Sequence, residues 1–209
     1  MKGIYTCVLT ILLGIIIVSC NKDDVDVYDQ QAILEREASM LSAYITAQGL
    51  SDSAELHQQT GIWYVLKDPG EGDFNYLDTS DNTGESQLAN AQILVKYTGK
   101  LLDGTVFDEN LNPDTTDANN GYFNLLPTQT QPGVITAWQI AFYPAKIGEH
   151  EIGGLLETGL QKGAKIRIIT PSPYAYRNQP NADIPANSPL DFDIEVLDIK
   201  KSPDQNNVN

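Results

Sequence analysis

Cysteine and histidine are scarce in this chain of 209 residues, and their scarcity excludes several kinds of chemistry. The two cysteines, Cys7 and Cys20, both lie near the N-terminus, so the rest of the chain holds neither a disulfide framework nor a cysteine-rich metal site. The two histidines, His57 and His150, lack the spacing of a metal-binding pair, and the chain has no Gly-x-Ser-x-Gly elbow and no phosphate-binding loop. We therefore expect no metal and no cofactor, and nothing favours a hydrolase or a nucleotide-dependent enzyme.

Positive charge is also in short supply. Thirteen Lys and Arg residues stand against 28 Asp and Glu, which gives a formal net charge of −15 at pH 7. A surface of this sign repels the phosphates of nucleic acid and the anionic headgroups of membranes. Nucleic acid is therefore not expected as a partner, and the acidity fits the solubility of an exported protein.

No apolar run reaches the roughly 20 residues that a membrane-spanning helix needs. The most apolar stretch, residues 8–18, follows Lys2 and ends at Ile17-Val18-Ser19-Cys20, which resembles the lipobox read by lipoprotein signal peptidase. The resemblance implies a signal peptide over 1–19, removed by cleavage, and lipid on Cys20 as a membrane anchor. An uncleaved anchor helix is the alternative.

The residues after Cys20 bear on location. Residues 21–24 (NKDD) resemble the acidic export tag of surface lipoproteins in some Gram-negative bacteria. We expect a lipid-anchored protein of the cell envelope, in the outer membrane. Its surface-exposed and periplasmic faces both remain open.

Residues 20–60 are predicted to form the lipidated tether and a helix. The tether is polar and acidic up to Tyr28. A helix is predicted from about 29 to 48, because apolar residues then recur at steps of three and four: Ile33, Leu34, Ala38, Leu41, Tyr44 and Ile45. Such a helix either packs on the following domain or acts as a stalk.

From Gly61 onward the pattern is that of strands. Strands are predicted over 62–66, 93–97, 166–169 and 190–196, with a turn over 68–72 and a polar loop over 75–90. The strand 190–196 alternates strictly, which places Leu190, Phe192, Ile194 and Val196 on a buried face and the three carboxylates between them in water. The fold class is therefore α+β with an antiparallel sheet, followed by a disordered tail over 201–209.

Five motifs, in order, resemble those of FKBP-type peptidyl-prolyl isomerases. They are residues 95–108 (VKYTGKLLDGTVFD), 134–138 (VITAW), 162–165 (KGAK), 174–176 (YAY) and 184–197 (IPANSPLDFDIEVL). The resemblance implies an FKBP-like domain over 61–200, in which the antiparallel sheet wraps around a short helix. It also implies isomerisation of X-Pro peptide bonds, with X-Pro-containing polypeptides as partners.

The same resemblance assigns roles to residues. It makes Trp138 the floor of a proline pocket, and Asp108 the group facing the twisting amide. It makes Tyr176 a hydroxyl donor and Ile184 a backbone N–H donor to substrate carbonyls. The implied walls are Tyr97, Phe107, Phe123, Val134, Ile135 and Phe192.

An apolar aromatic pocket suits this reaction. Rotation about a peptide bond costs roughly 18–20 kcal/mol because the planar amide loses its resonance. The twisted amide is less dipolar than the planar one, so a dry pocket favours the transition state without a nucleophile or a proton donor. Stabilising the twist by ~4 kcal/mol would accelerate the reaction roughly 10³-fold.

Three departures from the family pattern bear on activity. Ala137 and Arg177 stand where the family has glycine, and residues 139–162 form an insertion. The insertion either forms a flap that extends the cleft or packs on the sheet or the N-terminal helix. The expected function is isomerisation that assists the folding of exported proteins. The alternatives are a proline-segment-binding chaperone or assembly module with little turnover, and a structural lipoprotein that keeps only the fold.

Overall fold

The computed structural model describes residues 28–78, 87–114, 116 and 121–203. The predicted signal peptide, Cys20 and residues 204–209 lie outside the described residues. Within the described part of the chain, no helix is both long and apolar enough to cross a membrane.

The described elements are two α-helices, one 3₁₀ helix and eleven strands. In chain order they are α1 (Gln30–Ala47), β1 (Glu55–His57), β2 (Ile62–Asp68), β3 (Leu77–Asp78), β4 (Gln87–Leu88), β5 (Ala91–Leu101), β6 (Val106–Asn110), β7 (Phe123–Asn124), α2 (Thr136–Phe142), β8 (Lys146–Ile147), β9 (His150–Glu151), β10 (Lys165–Thr170), the 3₁₀ helix (Ser172–Tyr174) and β11 (Leu190–Lys201).

An antiparallel sheet of seven strands forms the body of the protein. Six strands lie in the order β1-β2-β10-β11-β5-β6, and β7 pairs with β5. Two further short pairs, β3 with β4 and β8 with β9, lie outside it. The sheet therefore begins at β1, ahead of residue 61, where the sequence predicts the start of the domain.

The concave side of the sheet holds the main core, and α2 packs into it. Ala137, Trp138, Ala141 and Phe142 of α2 are buried together with inward-facing residues of β5, β10 and β11. The predicted alternation of β11 is confirmed, because Leu190, Phe192, Ile194 and Val196 are all at most 3% exposed. The predicted α+β class, an antiparallel sheet around a short helix, is confirmed.

Helix α1 packs on the opposite face of the sheet, which settles the choice between packing and a stalk. Asp29 caps its N-terminus by accepting a hydrogen bond of 3.1 Å from the Ala32 N–H. Leu41 and Ile45 form a second apolar cluster with Ile169 of β10. The helix thus covers one end of a sheet surface that would otherwise face water.

The covering helix overturns one prediction about β11. Asp191 is 3% exposed rather than solvated. It accepts hydrogen bonds from Arg167 at 2.6 and 2.9 Å and from the Tyr44 hydroxyl at 2.7 Å. The carboxylate is buried because α1 lies over it, and it is stabilised there by these partners.

The first residues of the predicted disordered tail belong to the sheet or pack beside it. Strand β11 runs to Lys201, which pairs with Ala91 of β5, and Ser202 is 2% exposed with its N–H bonded to the Asn90 carbonyl at 2.9 Å. The prediction of a disordered tail is therefore wrong at 201–202.

Candidate active site

Side chains from six parts of the fold converge on one cavity of about 230 Å³. The cavity is lined by Tyr97, Phe107, Asp108, Phe123, Gly133, Val134, Ile135, Trp138, Tyr176 and Phe192. Strands β5, β6, β7 and β11 supply the walls, α2 and the residues before it supply the floor, and the loop after the 3₁₀ helix supplies Tyr176. The structure therefore brings together all the predicted pocket residues except Ile184.

The indole of Trp138 lies at the bottom of the cavity within a set of rings. It is 4% exposed. The ring centroids of Tyr97, Phe192 and Phe123 lie 5.2, 5.5 and 6.1 Å from it, all in T-shaped contacts. Such edge-to-face pairs are each worth about 0.5–1.5 kcal/mol beyond burial. The floor is accordingly rigid and apolar.

Gly99 of β5 allows two wall residues to approach the backbone. A Cβ placed there would lie 2.6 Å from the Phe107 ring and 2.9 Å from the Phe192 ring, closer than real contacts allow. The Phe107 and Phe192 rings, 5.7 Å apart, therefore need a glycine between them and the strand. This explains the glycine of the Tyr-Thr-Gly motif.

The cavity holds few polar groups, and two of them, Tyr97 and Asp108, form a pair. The Tyr97 hydroxyl donates to Asp108 Oδ2 at 2.7 Å. Burial, and then this hydrogen bond, raise the pKa of Tyr97 well above its ordinary value. Asp108 itself is exposed, so the carboxylate stands at the mouth of the cavity and Tyr97 holds it from inside.

Tyr176 is the second polar group. Burial raises its pKa, and a hydrogen bond with the Asn181 side chain opposes that rise. Among the described residues, none accepts a hydrogen bond from the Tyr176 hydroxyl within hydrogen-bond geometry.

Ile184 does not belong to this lining. Its side chain is 4% exposed, and its N–H already donates to the Asn181 carbonyl at 2.8 Å. The N–H that the resemblance offers to a substrate carbonyl is therefore already bonded within the protein. Ile135, a predicted wall residue just before α2, lines the cavity, and its N–H has no hydrogen-bond acceptor among the described residues.

Arg177 lies outside the cavity lining. Its backbone has φ +60°, the left-handed conformation that favours the glycine of the family motif. Its guanidinium stacks 4.5 Å from the centroid of the Tyr28 ring, just ahead of α1. The arginine thus keeps the backbone shape of the loop, and its charge is engaged with Tyr28.

The insertion 139–162 does not line the cavity either. Leu155 and Leu160 are buried in the main core, and their N–H groups bond the carbonyls of Ile140 and Phe142 at 3.0 Å. The Tyr76 hydroxyl donates to the Leu160 carbonyl at 2.6 Å. Of the two alternatives, the structure favours packing: the insertion is core and contacts the loop ahead of β3.

Three other concave surfaces in the described part of the chain are larger, at about 240, 480 and 580 Å³. The one of about 580 Å³ lies between residues 69–77 and the insertion; it has an edge-to-face ring pair, Phe74 and Tyr76, but no tryptophan floor and no tyrosine–carboxylate pair. Among the described residues, no group of three or more His, Cys, Asp or Glu side chains could hold a metal ion. Gly133 also lines the aromatic cavity, although no motif singles it out beyond the Pro-Gly turn in which it lies.

Comparisons with known proteins agree with these motifs. The family model for FKBP-type peptidyl-prolyl cis-trans isomerases matches residues 84–197. FK506-binding protein 4 of Candida glabrata is 32% identical over 130 residues, which cover 62% of this chain and 27% of that protein. The isomerase FkpA of Buchnera aphidicola is 32% identical over 142 residues, which cover 68% of this chain and 42% of that protein.

The chain thus spans well under half the length of these curated relatives. A crystal structure of a peptidyl-prolyl cis-trans isomerase from Pseudomonas syringae pv. tomato superposes with a TM-score of 0.49 and 23% identity, covering 83% of this chain and 97% of that one. Because the family model alone matches more than half of the chain, this protein belongs to the family of FKBP-type peptidyl-prolyl cis-trans isomerases.

Proposed function

We propose that this protein catalyses the cis–trans isomerisation of peptide bonds that precede proline. The observation that carries the proposal is the aromatic cavity itself. Trp138 forms a buried floor, three further rings pack around it edge to face, and Asp108 stands at the mouth. Family membership supports the same activity.

The geometry suits the reaction without proton transfer. The prolyl ring would rest on the indole of Trp138, where little water reaches the amide. As the bond twists, its carbonyl loses dipole, so the dry cavity destabilises the planar ground state more than the twisted state. Asp108, held by the Tyr97 hydroxyl, would face the twisting amide and orient it.

Two hydrogen-bond donors would hold the substrate backbone. One is the hydroxyl of Tyr176, a residue that lines the cavity. The other, in place of Ile184, is the N–H of Ile135, which meets no acceptor in the part of the chain that the structure describes. The two donors would keep the carbonyls on either side of the prolyl bond in place, so that rotation is confined to that one bond.

The two largest departures from the family pattern leave the cavity unobstructed, and this favours turnover over binding alone. Arg177 stacks on Tyr28, and the insertion is packed into the core, so neither obstructs the cavity. The alternative of a proline-binding chaperone with little turnover assumes that these departures alter the pocket, and neither of them lines it.

A protease-coupled assay on short X-Pro peptides tests the activity. Tyr176→Phe removes one neutral hydrogen bond, worth ~1 kcal/mol, and should lower kcat/KM about fivefold. Asp108→Ala removes a charged group, worth ~1.5–3 kcal/mol, and should lower it roughly 10- to 100-fold. The peptides should work best with an apolar residue before proline, because the cavity is apolar.

Matched controls exist for both changes. Glu109→Ala alters the neighbouring exposed carboxylate of β6, and Tyr122→Phe removes a hydroxyl that bonds Asp198 away from the cavity. Neither should change kcat/KM. Wild-type activity in both Asp108→Ala and Tyr176→Phe would mean that the site is elsewhere. Tight binding of proline peptides with no turnover would establish the chaperone alternative.

We further propose that the protein is anchored by lipid on Cys20 in the outer membrane, and that it assists the folding of exported, X-Pro-containing polypeptides. The lipobox-like residues 17–20 support the anchor. Cys20→Ala should abolish incorporation of labelled palmitate and move the protein to the soluble fraction or block its processing. Cys7→Ala, inside the predicted signal peptide, is the control and should change neither. Unchanged labelling and membrane association in Cys20→Ala would reject the anchor.

A further inference from the structure

A carboxylate of α1 is buried against the loop that carries Tyr176. Glu37 is 1% exposed, and acidic side chains are almost never so buried unless they are paired. Its two oxygens accept hydrogen bonds of 2.7 Å from the N–H and the hydroxyl of Ser172. The Arg36 guanidinium lies 3.6 Å away at the exposed side. Glu37 therefore holds Ser172 through two hydrogen bonds in a buried contact.

Ser172 passes this constraint on to Tyr176. It is 0% exposed, and its carbonyl accepts hydrogen bonds from the N–H groups of Ala175 and Arg177 at 3.0 and 2.9 Å. These two residues flank Tyr176 on either side. The backbone on both sides of Tyr176 is thus hydrogen-bonded to Ser172, and Ser172 is in turn held by Glu37.

The contact is separable from the general docking of α1. The helix is also held by the Tyr44 hydroxyl, which donates to Asp191 on β11, and by Gln48, which accepts from Arg167 on β10 at 2.8 Å. Those bonds join α1 to the sheet and do not touch the loop over 171–177. Two variants on one helix can therefore distinguish loop placement from helix docking.

We propose that Glu37 is a positioning residue that sets the Tyr176 hydroxyl in the cavity through Ser172. The helix that precedes the isomerase domain is then part of its active site. The inference rests on the proposed function, because it gives Tyr176 a substrate contact. Glu37 lies outside residues 84–197, which match the family model, so Tyr176 is positioned by a residue from outside the matched domain.

Kinetics test whether Glu37 acts through Tyr176. Glu37→Ala leaves two buried donors without an acceptor and should lower kcat/KM about fivefold, with Tyr176→Phe setting the ceiling. Glu37→Gln can accept the Ser172 N–H and donate to its hydroxyl, so it should stay within about twofold of wild type. In a Tyr176→Phe background, Glu37→Ala should have no further effect on kcat/KM.

Tyr44→Phe is the matched control. It removes one bond between α1 and the sheet, and should lower the melting temperature while leaving kcat/KM unchanged below it. The proposal is overturned if Glu37→Ala costs as much in the Tyr176→Phe background as in the wild type. It is also overturned if Tyr44→Phe lowers kcat/KM as much as Glu37→Ala does. Ser172→Ala, which loses only the hydroxyl bond, takes the place of Glu37→Ala if that variant does not fold.

A spectroscopic measurement separates this inference from the proposed function. In protein labelled with 3-fluorotyrosine, the ¹⁹F resonance of Tyr176 is identified by its loss in Tyr176→Phe. That resonance should shift or broaden in Glu37→Ala and stay in place in Tyr44→Phe. An unmoved resonance in Glu37→Ala overturns the positioning role even if the protein is an isomerase. A moved resonance in a protein without turnover refutes the proposed function and leaves the positioning intact.

Discussion

Gly154 offers a sharp test of whether the insertion over 139–162 is core or flap. This glycine is buried where the chain crosses residues 143–145. A Cβ there would overlap the Tyr143 carbonyl oxygen and lie 2.7 Å from the carbonyl carbon and oxygen of Pro144. All of these atoms belong to the backbone, so no side-chain rotation relieves the clash.

The expected cost follows from that geometry. Overpacking in a core typically costs about 1–3 kcal/mol, and a backbone clash belongs at the upper end. A loss of ~3 kcal/mol should lower the melting temperature by roughly 6–12 °C in a protein of this size. Gly148→Ala is the control, because no atom lies within 4 Å of the added methyl and only its φ of +57° is strained. Its cost should be ~1 kcal/mol.

Urea and thermal unfolding, followed by circular dichroism, measure both variants, and kcat/KM on a short X-Pro peptide is measured on the folded fraction. We expect Gly154→Ala to be clearly the less stable variant, with short-peptide turnover retained. The core assignment fails if Gly154→Ala is no less stable than Gly148→Ala. It also fails if a variant of wild-type stability refolds a proline-limited protein substrate more slowly, which is the behaviour of a flap.

Three further predictions concern the cavity. Trp138→Ala should cost ~3–5 kcal/mol of unfolding free energy by leaving a void. Trp138→Phe removes an indole N–H that has no hydrogen-bond partner among the described residues, so it should cost only ~1 kcal/mol. Equal losses in urea titrations would contradict this. The raised pKa values of Tyr97 and Tyr176 keep both hydroxyls protonated below about pH 10, so kcat/KM should be flat from about pH 6 to pH 9. A bell-shaped pH profile centred near the pKa range of histidine would imply proton transfer instead. Tyr97→Phe should lower kcat/KM roughly tenfold, because Asp108 loses the hydrogen bond that holds it. The double variant with Asp108→Ala should lose no more activity than Asp108→Ala alone. Additive losses would mean that the two residues act independently.

Local pattern was sufficient for the elements whose burial follows from their own periodicity. The helix predicted from about 29 to 48 is α1, and the alternation along 190–196 identifies the buried face of β11. Most of the cavity lining was also readable, because aromatic residues in ordered motifs carry the family's pocket in the sequence itself. The helix and strand predictions hold because a strand or helix buries its apolar side whatever it packs against.

Contacts between distant segments were beyond the reach of the sequence. Glu37 lies in register with Ile33 and Leu41 on the buried side of α1, yet a charged residue in an apolar stripe gives no sign of its partner, Ser172, far along the chain. Asp191 alternates as a solvent-facing residue and is buried only because α1 covers it. Ile184 matches a motif, but its N–H is consumed by the local bond to Asn181.

The division follows from what each kind of information contains. The sequence by itself determined the fold class and the helical period of α1, since these depend on the spacing of apolar groups along one segment. The resemblance of its motifs to the family supplied the residue types of the cavity. Only the tertiary structure decided where α1 docks, that the insertion is core, and which polar groups are paired out of water. A buried polar group is tolerated only where a partner meets it, and that partner is supplied by the packing of segments far apart in the chain.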